Sequence, residues 1–256
     1  MEFPAMLKRI DETKKWIQAH RPLAPEEVRQ LDAYFRIDLT YTSNALEGNT
    51  LSIVETKVLL EDGLTAGGKP IRDCYEAVGH ANAYDFMLNV ARSNPLVFSE
   101  EIITRLHKLF YQGIDAENAG VYRNVQVMIT GSEYMPPNPK EVPELMRAFV
   151  NELNENLSKI HTVQLAAFAH RKLVDIHPFV DGNGRAARLL MNLILIDGGY
   201  QIISMPPILR SDYINALRAA QREENPSDRD FNLLIAECEI EAQKDFCRMF
   251  DITPPL

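Results

Sequence analysis

Between His177 and Leu190 the chain reads HPFVDGNGRAARLL: a histidine, an acid, two glycines, an asparagine and two arginines directly before a leucine-rich helical run. An ordinary connection between core helices needs one capping residue and one glycine, so this junction carries more polar chemistry than folding demands. The pattern predicts a helix ending near Val174 and another starting at Asn183 or Gly184 and running through AARLLMNLILI, with Leu189, Leu190, Leu193 and Ile194 on a buried face. A helix start exposes backbone N–H groups and the positive end of the dipole, and Gly182 and Gly184 let a ligand approach the backbone closely. Arg185 and Arg188, three residues apart, suit one polyanion. The combination describes a phosphate cradle clamped to a rigid core. His177 adds a proton acceptor that works near neutral pH. Taken singly, His177 reads as well as a structural hydrogen bonder, Asp181 as a turn or cap residue, and either arginine as a surface ion pair. Phe179 reads as the loop's anchor in the core.

The remainder is mainly helical. Amphipathic stretches at 5–20 and 25–39 flank RPLAP, with Pro25 suited to a first helical turn; LSIVETKVLLEDG stops at Gly63, and a long helix starts near Asp73. On that helix Tyr75, Val78, Ala83, Phe86 and Val90 are expected inside, and Glu76, His80 and Asn82 on the surface. Ser99 caps a helix that ends by Gly113, and further helices are expected near 139–157, 160–174, 183–197, 210–223 and 229–249. The break comes at GVYRNVQVMITGSEYMPP, where Val125, Val127 and Ile129 alternate with Gln126 and Met128 before the GSEY turn and two prolines. This predicts a small β-hairpin flap on an otherwise α-helical fold.

A chain of 256 residues with 46% apolar composition supports one main domain with an N-terminal elaboration. A net charge of −9 argues against a phosphate-backbone binder, and no obvious nucleic-acid or membrane partner is expected. The N-terminus lacks an apolar signal core and no run reaches membrane-span length, so a cytoplasmic protein is expected. Cys74, Cys238 and Cys247 lack metal-ligand spacing and read as free thiols.

HPFVDGNGRAAR resembles the signature of the Fic-domain proteins: His-Pro-Phe, a variable residue, Asp or Glu, Gly-Asn-Gly-Arg, two variable residues and Arg, with every fixed place filled here. The resemblance implies a Fic-type helical core over residues 73–222, an N-terminal regulatory region at 1–72 and a C-terminal helical extension at 223–256. It also implies transfer of AMP from ATP to a Ser, Thr or Tyr hydroxyl of a protein. His177 would take the hydroxyl proton as that oxygen attacks the α-phosphate, and Asp181 would bind Mg2+, with Mn2+ as an alternative. Asn183, with the backbone around Gly182 and Gly184, would position the α-phosphate. Arg185 would bind the leaving phosphates and Arg188 would hold the γ end. Tyr213 and Gln221, placed after the motif helix, are candidates for the adenine pocket. Residues 125–129 resemble the Fic flap, an edge for aligning a target peptide. Arg123 reads as either a structural salt bridge or a contact to the site's surroundings, and His170, two turns before His177, as a supporting group rather than a metal ligand.

A second segment, TSNALEGNTLS, resembles the Fic inhibitory motif, with Ser43, Glu47 and Gly48 in its fixed places. A helix carrying Glu47 would enter the nucleotide site and pair with Arg188, misaligning ATP for attack. The resemblance leaves two other activities open: removal of AMP from a modified protein, and nucleotide-dependent protein binding without effective chemistry. Automodification and a homodimer are further expectations. A Walker loop and the joint kinase motifs are absent from the sequence, which disfavours P-loop and kinase chemistry.

Overall fold

The computed structural model describes residues 2–65, 67–93, 96–129, 132–222 and 224–253, and among them the only regular elements are helices. Ten α-helices follow one another: α1 Phe3–Ala19, α2 Pro25–Leu46, α3 Ile53–Asp62, α4 Ile71–Ala91, α5 Glu100–Tyr111, α6 Val142–Asn156, α7 Thr162–Ile176, α8 Asn183–Asp197, α9 Arg210–Ala220 and α10 Arg229–Met249. Local chemistry sets many of the boundaries. Pro25 opens α2, Ser52 and Glu55 form a reciprocal capping box on α3, Gly63 ends α3 in the left-handed region, and the Ser99 hydroxyl accepts from the Ile102 N–H at the start of α5.

The motif helix α8 is buried nearly all round, with Arg185 and every residue from Ala186 to Leu195 inside. It packs on α7 and meets α4, α5 and α2. Each fully buried leucine here contributes roughly 1.5–3 kcal/mol. The main core also takes Met6 and Ile10 from α1, Phe35 and Leu39 from α2, and Phe231 and Ile235 from α10. The motif loop therefore leads directly into a helix buried in the main core.

The expected β-hairpin flap is not formed: residues 124–129 and 132–138 contain no strand. Thr130 and Gly131, the latter opening the expected GSEY turn, lie outside the described residues. Pro136 and Pro137, on the returning arm, have no N–H to give a ladder. The two arms are joined through side chains instead. Gln126 donates to the Pro136 carbonyl at 2.9 Å, and Arg123 donates to those of Val125 and Pro137 at 3.0 and 2.6 Å.

Two further expectations are corrected. α2 does not stop near residue 39 but continues to Leu46, because Thr40, Thr42, Ser43 and Asn44 are buried against the rest of the fold. On the first half of α4 the phase is different from that expected, with Glu76 and His80 buried and Tyr75 and Val78 exposed, whereas Ala83 is inside, Phe86 and Val90 pack on the core and Asn82 is on the surface as expected. The three cysteines are free and buried, and no helix among the described residues is long and apolar enough to cross a membrane.

Candidate active site

The loop between α7 and α8 is built around Phe179. Its ring stacks on His107 of α5, centroids 3.7 Å apart and planes within 5°. Asn183 closes the loop from the other side: its side chain accepts from the Phe179 N–H and donates to the Phe179 carbonyl, each at 2.9 Å. The expected phosphate-positioning residue thus commits its amide to the loop. Its backbone remains relevant, since the first intrahelical bond of α8 runs from Ala186 N–H to Gly182 O and the preceding N–H groups lie at the open helix end. His107 receives the Gly120 N–H at Nδ1, 2.9 Å, which leaves Nε2–H to donate to the Asp181 carbonyl at 3.0 Å. Burial pulls its pKa down to about 4, keeping this bridge neutral. Gly182 takes φ 79°, and a Cβ there would overlap Phe110 Cζ.

His177 ends α7 in the left-handed region, φ 50° and ψ 57°, a conformation costly for a non-glycine residue. Its Nδ1 lies 3.1 Å from the Val174 carbonyl. A carbonyl only accepts, so Nδ1 carries the hydrogen and Nε2 keeps a lone pair. Burial lowers the imidazole pKa, outweighing the Val174 bond that raises it, so the lone pair persists at neutral pH. The His177 carbonyl accepts from Arg123 Nε at 2.7 Å, and the Arg123 N–H donates to the Pro178 carbonyl at 2.8 Å. Arg123 therefore joins the motif loop to the 124–138 segment through carbonyls rather than a salt bridge.

A cavity of about 490 Å3 opens on these groups, lined among others by Glu47, His177, Asp181, Gly184, Tyr213 and Gln221. A larger hollow of about 790 Å3, between α2, α9 and α10, includes none of the motif residues, so size does not identify the site. Met128 and Ile129 reach the cavity rim, and Val125 and Met128 are exposed. Gln221 donates to Asp175 Oδ1 at 2.9 Å. Tyr213 is almost fully buried, and its hydroxyl faces Arg188, at the arginine end of the cavity.

The two motif arginines are both buried and both engaged by α2. Arg188 donates from Nε to Ser43 Oγ (2.9 Å), from Nη2 to Ser43 O (2.9 Å) and to Glu47 Oε1 (2.6 Å), and from Nη1 to the Tyr213 hydroxyl (3.1 Å). Arg185 pairs with Glu76 Oε1 at 3.1 Å, reaches Asn44 Oδ1 at 3.4 Å and lies over the Phe110 ring. Glu47 is the residue that ends α2, and Gly48 follows at φ 94°, releasing the chain. Burial acts to raise the Glu47 pKa, but the Arg188 charge and hydrogen bond lower it overall, so the carboxylate stays ionised.

Asp181 is 46% exposed at its side chain; Oδ1 takes the Gly182 N–H at 2.6 Å, and Oδ2 takes Arg72 Nη2 at 3.0 Å. No group of three or more His, Cys, Asp or Glu residues that could hold a metal ion is present among the described residues. A lone exposed carboxylate fits a hard divalent cation whose other ligands are phosphate oxygens and water, the usual arrangement for Mg2+ at a nucleotide. Arg72, Glu76, Asn44 and His107 escaped sequence reasoning. The i,i+4 spacing of Arg72 and Glu76 was visible, but nothing local says that the pair faces the motif loop.

The Fic/DOC family model matches residues 97–195. The protein adenylyltransferase Fic of Drosophila grimshawi is 35% identical over 232 residues, covering 90% of this chain and 46% of that protein. Fic-1 (residues 134–508) of C. elegans superposes with a TM-score of 0.86 at 30% identity, covering 97% of this chain and 73% of that one. A Fic domain containing signaling protein from Bacteroides thetaiotaomicron superposes at 0.84 with 28% identity, covering 98% and 99%. The chain spans under half the length of the curated relatives it matches.

Proposed function

Since this chain belongs to the Fic/DOC family, we propose that it transfers AMP from ATP to a Ser, Thr or Tyr hydroxyl of a target protein, and that Glu47 restrains the reaction. The observation that carries this reading is the His177 ring, tied at Nδ1 to Val174 with its Nε2 lone pair free beside the open end of α8. The target hydroxyl gives its proton to Nε2 as its oxygen forms a bond to the α-phosphorus. The bond from that phosphorus to the β-phosphate oxygen breaks, and pyrophosphate leaves. The N–H groups around Gly182 and Gly184 hold the α-phosphate, Arg185 holds the departing phosphates, on whose β-phosphate oxygen negative charge accumulates as the bond breaks, and Arg188 holds the γ end. Asp181 would hold Mg2+ or Mn2+, which when bound offsets phosphate charge. Gln221 remains the candidate for the adenine end. Tyr213 takes a place beside Arg188.

The proposed restraint is supported by the position of Glu47, whose carboxylate occupies the space over Gly184 and which together with Ser43 takes Nε and Nη2 of Arg188. ATP labelled separately at the α and γ positions tests the proposal. Alpha label retained on protein and lost in His177→Ala supports it; γ label on protein defeats it. The target contacts proposed at Val125, Gln126, Val127, Met128 and Ile129 rest on their position at the cavity rim and on the exposure of Val125 and Met128. A second reading, removal of AMP, is favoured by the ionised Glu47 in the same cavity, which can orient a water; release of AMP from a premodified target distinguishes it. We also propose a homodimer, supported by the exposed Ile71, Tyr75 and Val78 on one face of α4, and light scattering that gives only monomer mass would exclude it.

A further inference from the structure

Among the described residues the Arg188 guanidinium makes four hydrogen bonds, and three of them end on α2 and its C-cap residue, at Ser43 Oγ, Ser43 O and Glu47 Oε1. The fourth runs to the Tyr213 hydroxyl on α9. A change confined to α2 acts on the first group of bonds, whereas the Tyr213 bond is made from a different helix. We infer that Tyr213 is the positioning residue that keeps Arg188 aimed into the cavity when α2 lets go, and that His170 positions Tyr213 for that task. The inference rests on the proposed placement of the γ-phosphate at Arg188.

The direction of the chain of bonds follows from chemistry. A guanidinium has no acceptor, so the Tyr213 oxygen accepts from Nη1. Its own hydrogen then points to His170 Nε2, 3.2 Å away. His170 can receive it because it is neutral: burial first, and the nearby Arg188 charge second, hold its pKa well below the usual histidine value. Each bond polarises the next, which makes the Tyr213 oxygen a better partner for the cation. Packing fixes the geometry as well. The His170 ring stands edge-on to Tyr213, 5.6 Å between centroids at 81°, and rests against Phe231 at 5.0 Å. His170 is fully buried and Tyr213 nearly so, so the tyrosine has no room to swing away. Phe231 belongs to α10 and His170 to α7, so the anchor of Arg188 is held by elements other than the restraining helix.

An arginine that holds only the γ end distinguishes ATP from ADP, and that preference reads the role of Tyr213 directly. Affinities for ATP and ADP are measured by calorimetry on the full chain carrying Glu47→Gly, with and without Tyr213→Phe. Loss of a hydrogen bond to a charged group predicts about tenfold weaker ATP binding, with ADP changed less than about twofold. His170→Leu is expected to reproduce part of this loss, and His170→Gln, whose amide oxygen can accept the same hydrogen, to restore most of it. A folded Tyr213→Phe protein that keeps its ATP-to-ADP preference, or that loses both ligands equally, overturns the inference. Should Tyr213→Phe not fold, His170→Leu against His170→Gln carries the same comparison, and equal preferences in the two overturn it. Arg188→Ala separates the levels. If it abolishes the preference while Tyr213→Phe does not, only the positioning role fails; if it leaves the preference intact, the γ-phosphate placement fails and the inference with it.

Discussion

Glu47 Oε1 lies 2.6 Å from Arg188 Nη2 and in the space that a Cβ on residue 184 would need. One carboxylate oxygen thus occupies an arginine and the mouth of the anion cradle together. Removing it in Glu47→Gly is expected to raise α-label transfer by roughly 5- to 150-fold, the span of ordinary coupling energies, while total ATP binding changes less. Glu47→Gly combined with His177→Ala should stay inactive. A folded Glu47→Gly protein with unchanged transfer, on a target that the parent modifies, rules out the brake.

Arg72 neutralises Asp181 from the side that faces solvent, and both side chains are about half exposed. Such a pair is worth at most about 1 kcal/mol, so Arg72→Leu should lower the Mg2+ concentration for half-maximal transfer by no more than about fivefold. Metal titration of the variant in the Glu47→Gly background checks this. A rise in the required Mg2+ would mean that Arg72 assists the metal instead of competing with it.

Gly182 combines a left-handed backbone with contact against Phe110. Gly182→Ala adds a Cβ that is strained at this φ and must displace the Phe110 ring, so a loss of about 2–4 kcal/mol is expected. Denaturant unfolding measures it. Transfer should fall further than stability alone accounts for, since the loop carrying Asp181 moves with residue 182.

Burial lowers the pKa values of His80 to about 3 and of His107 to about 4. Unfolded histidine takes up its proton near pH 6.5 while these stay neutral in the fold, so stability holds above pH 6.5 and declines as pH falls toward 4. For His107 the loss by pH 4 is roughly 3 kcal/mol. Unfolding curves between pH 7 and pH 4 should show this slope, and His107→Gln should flatten it. A slope unchanged in a folded His107→Gln protein would place the acid sensitivity elsewhere.

Arg123 ties His177 O, Val125 O and Pro137 O with one guanidinium. Lysine has no planar fork to span three carbonyls, so Arg123→Lys is expected to cost about 1–3 kcal/mol and to lower transfer to a protein target more than ATP binding. Parallel losses in both would mean that the 124–138 segment does not contribute to target recognition.

Much of this protein could be read along the chain because the responsible forces act over a few residues. Helical periodicity, Pro25, Ser99 and Gly63 mark element ends through local backbone geometry, and the order His177, Asp181, Gly182, Gly184, Arg185, Arg188 lies within little more than three helical turns. Ser43 and Glu47 were legible as a motif, but not the distance of 2.6 Å that joins Glu47 to a residue 141 positions away. The buried face of α4 was misread for a related reason. Periodicity assigns apolar residues to the interior, whereas Glu76 is inside because Arg185 arrives from α8 to meet it. The missing flap ladder shows the same division: alternation in 125–129 is a property of one arm, but pairing needs a second arm, and that arm's prolines, together with Arg123 and Gln126, substitute side-chain bonds for backbone ones. Residue order along the chain determined the helices and the set of reactive groups. Only tertiary packing decided which charges meet, because a buried ion pair forms where two distant segments exclude water from the same place.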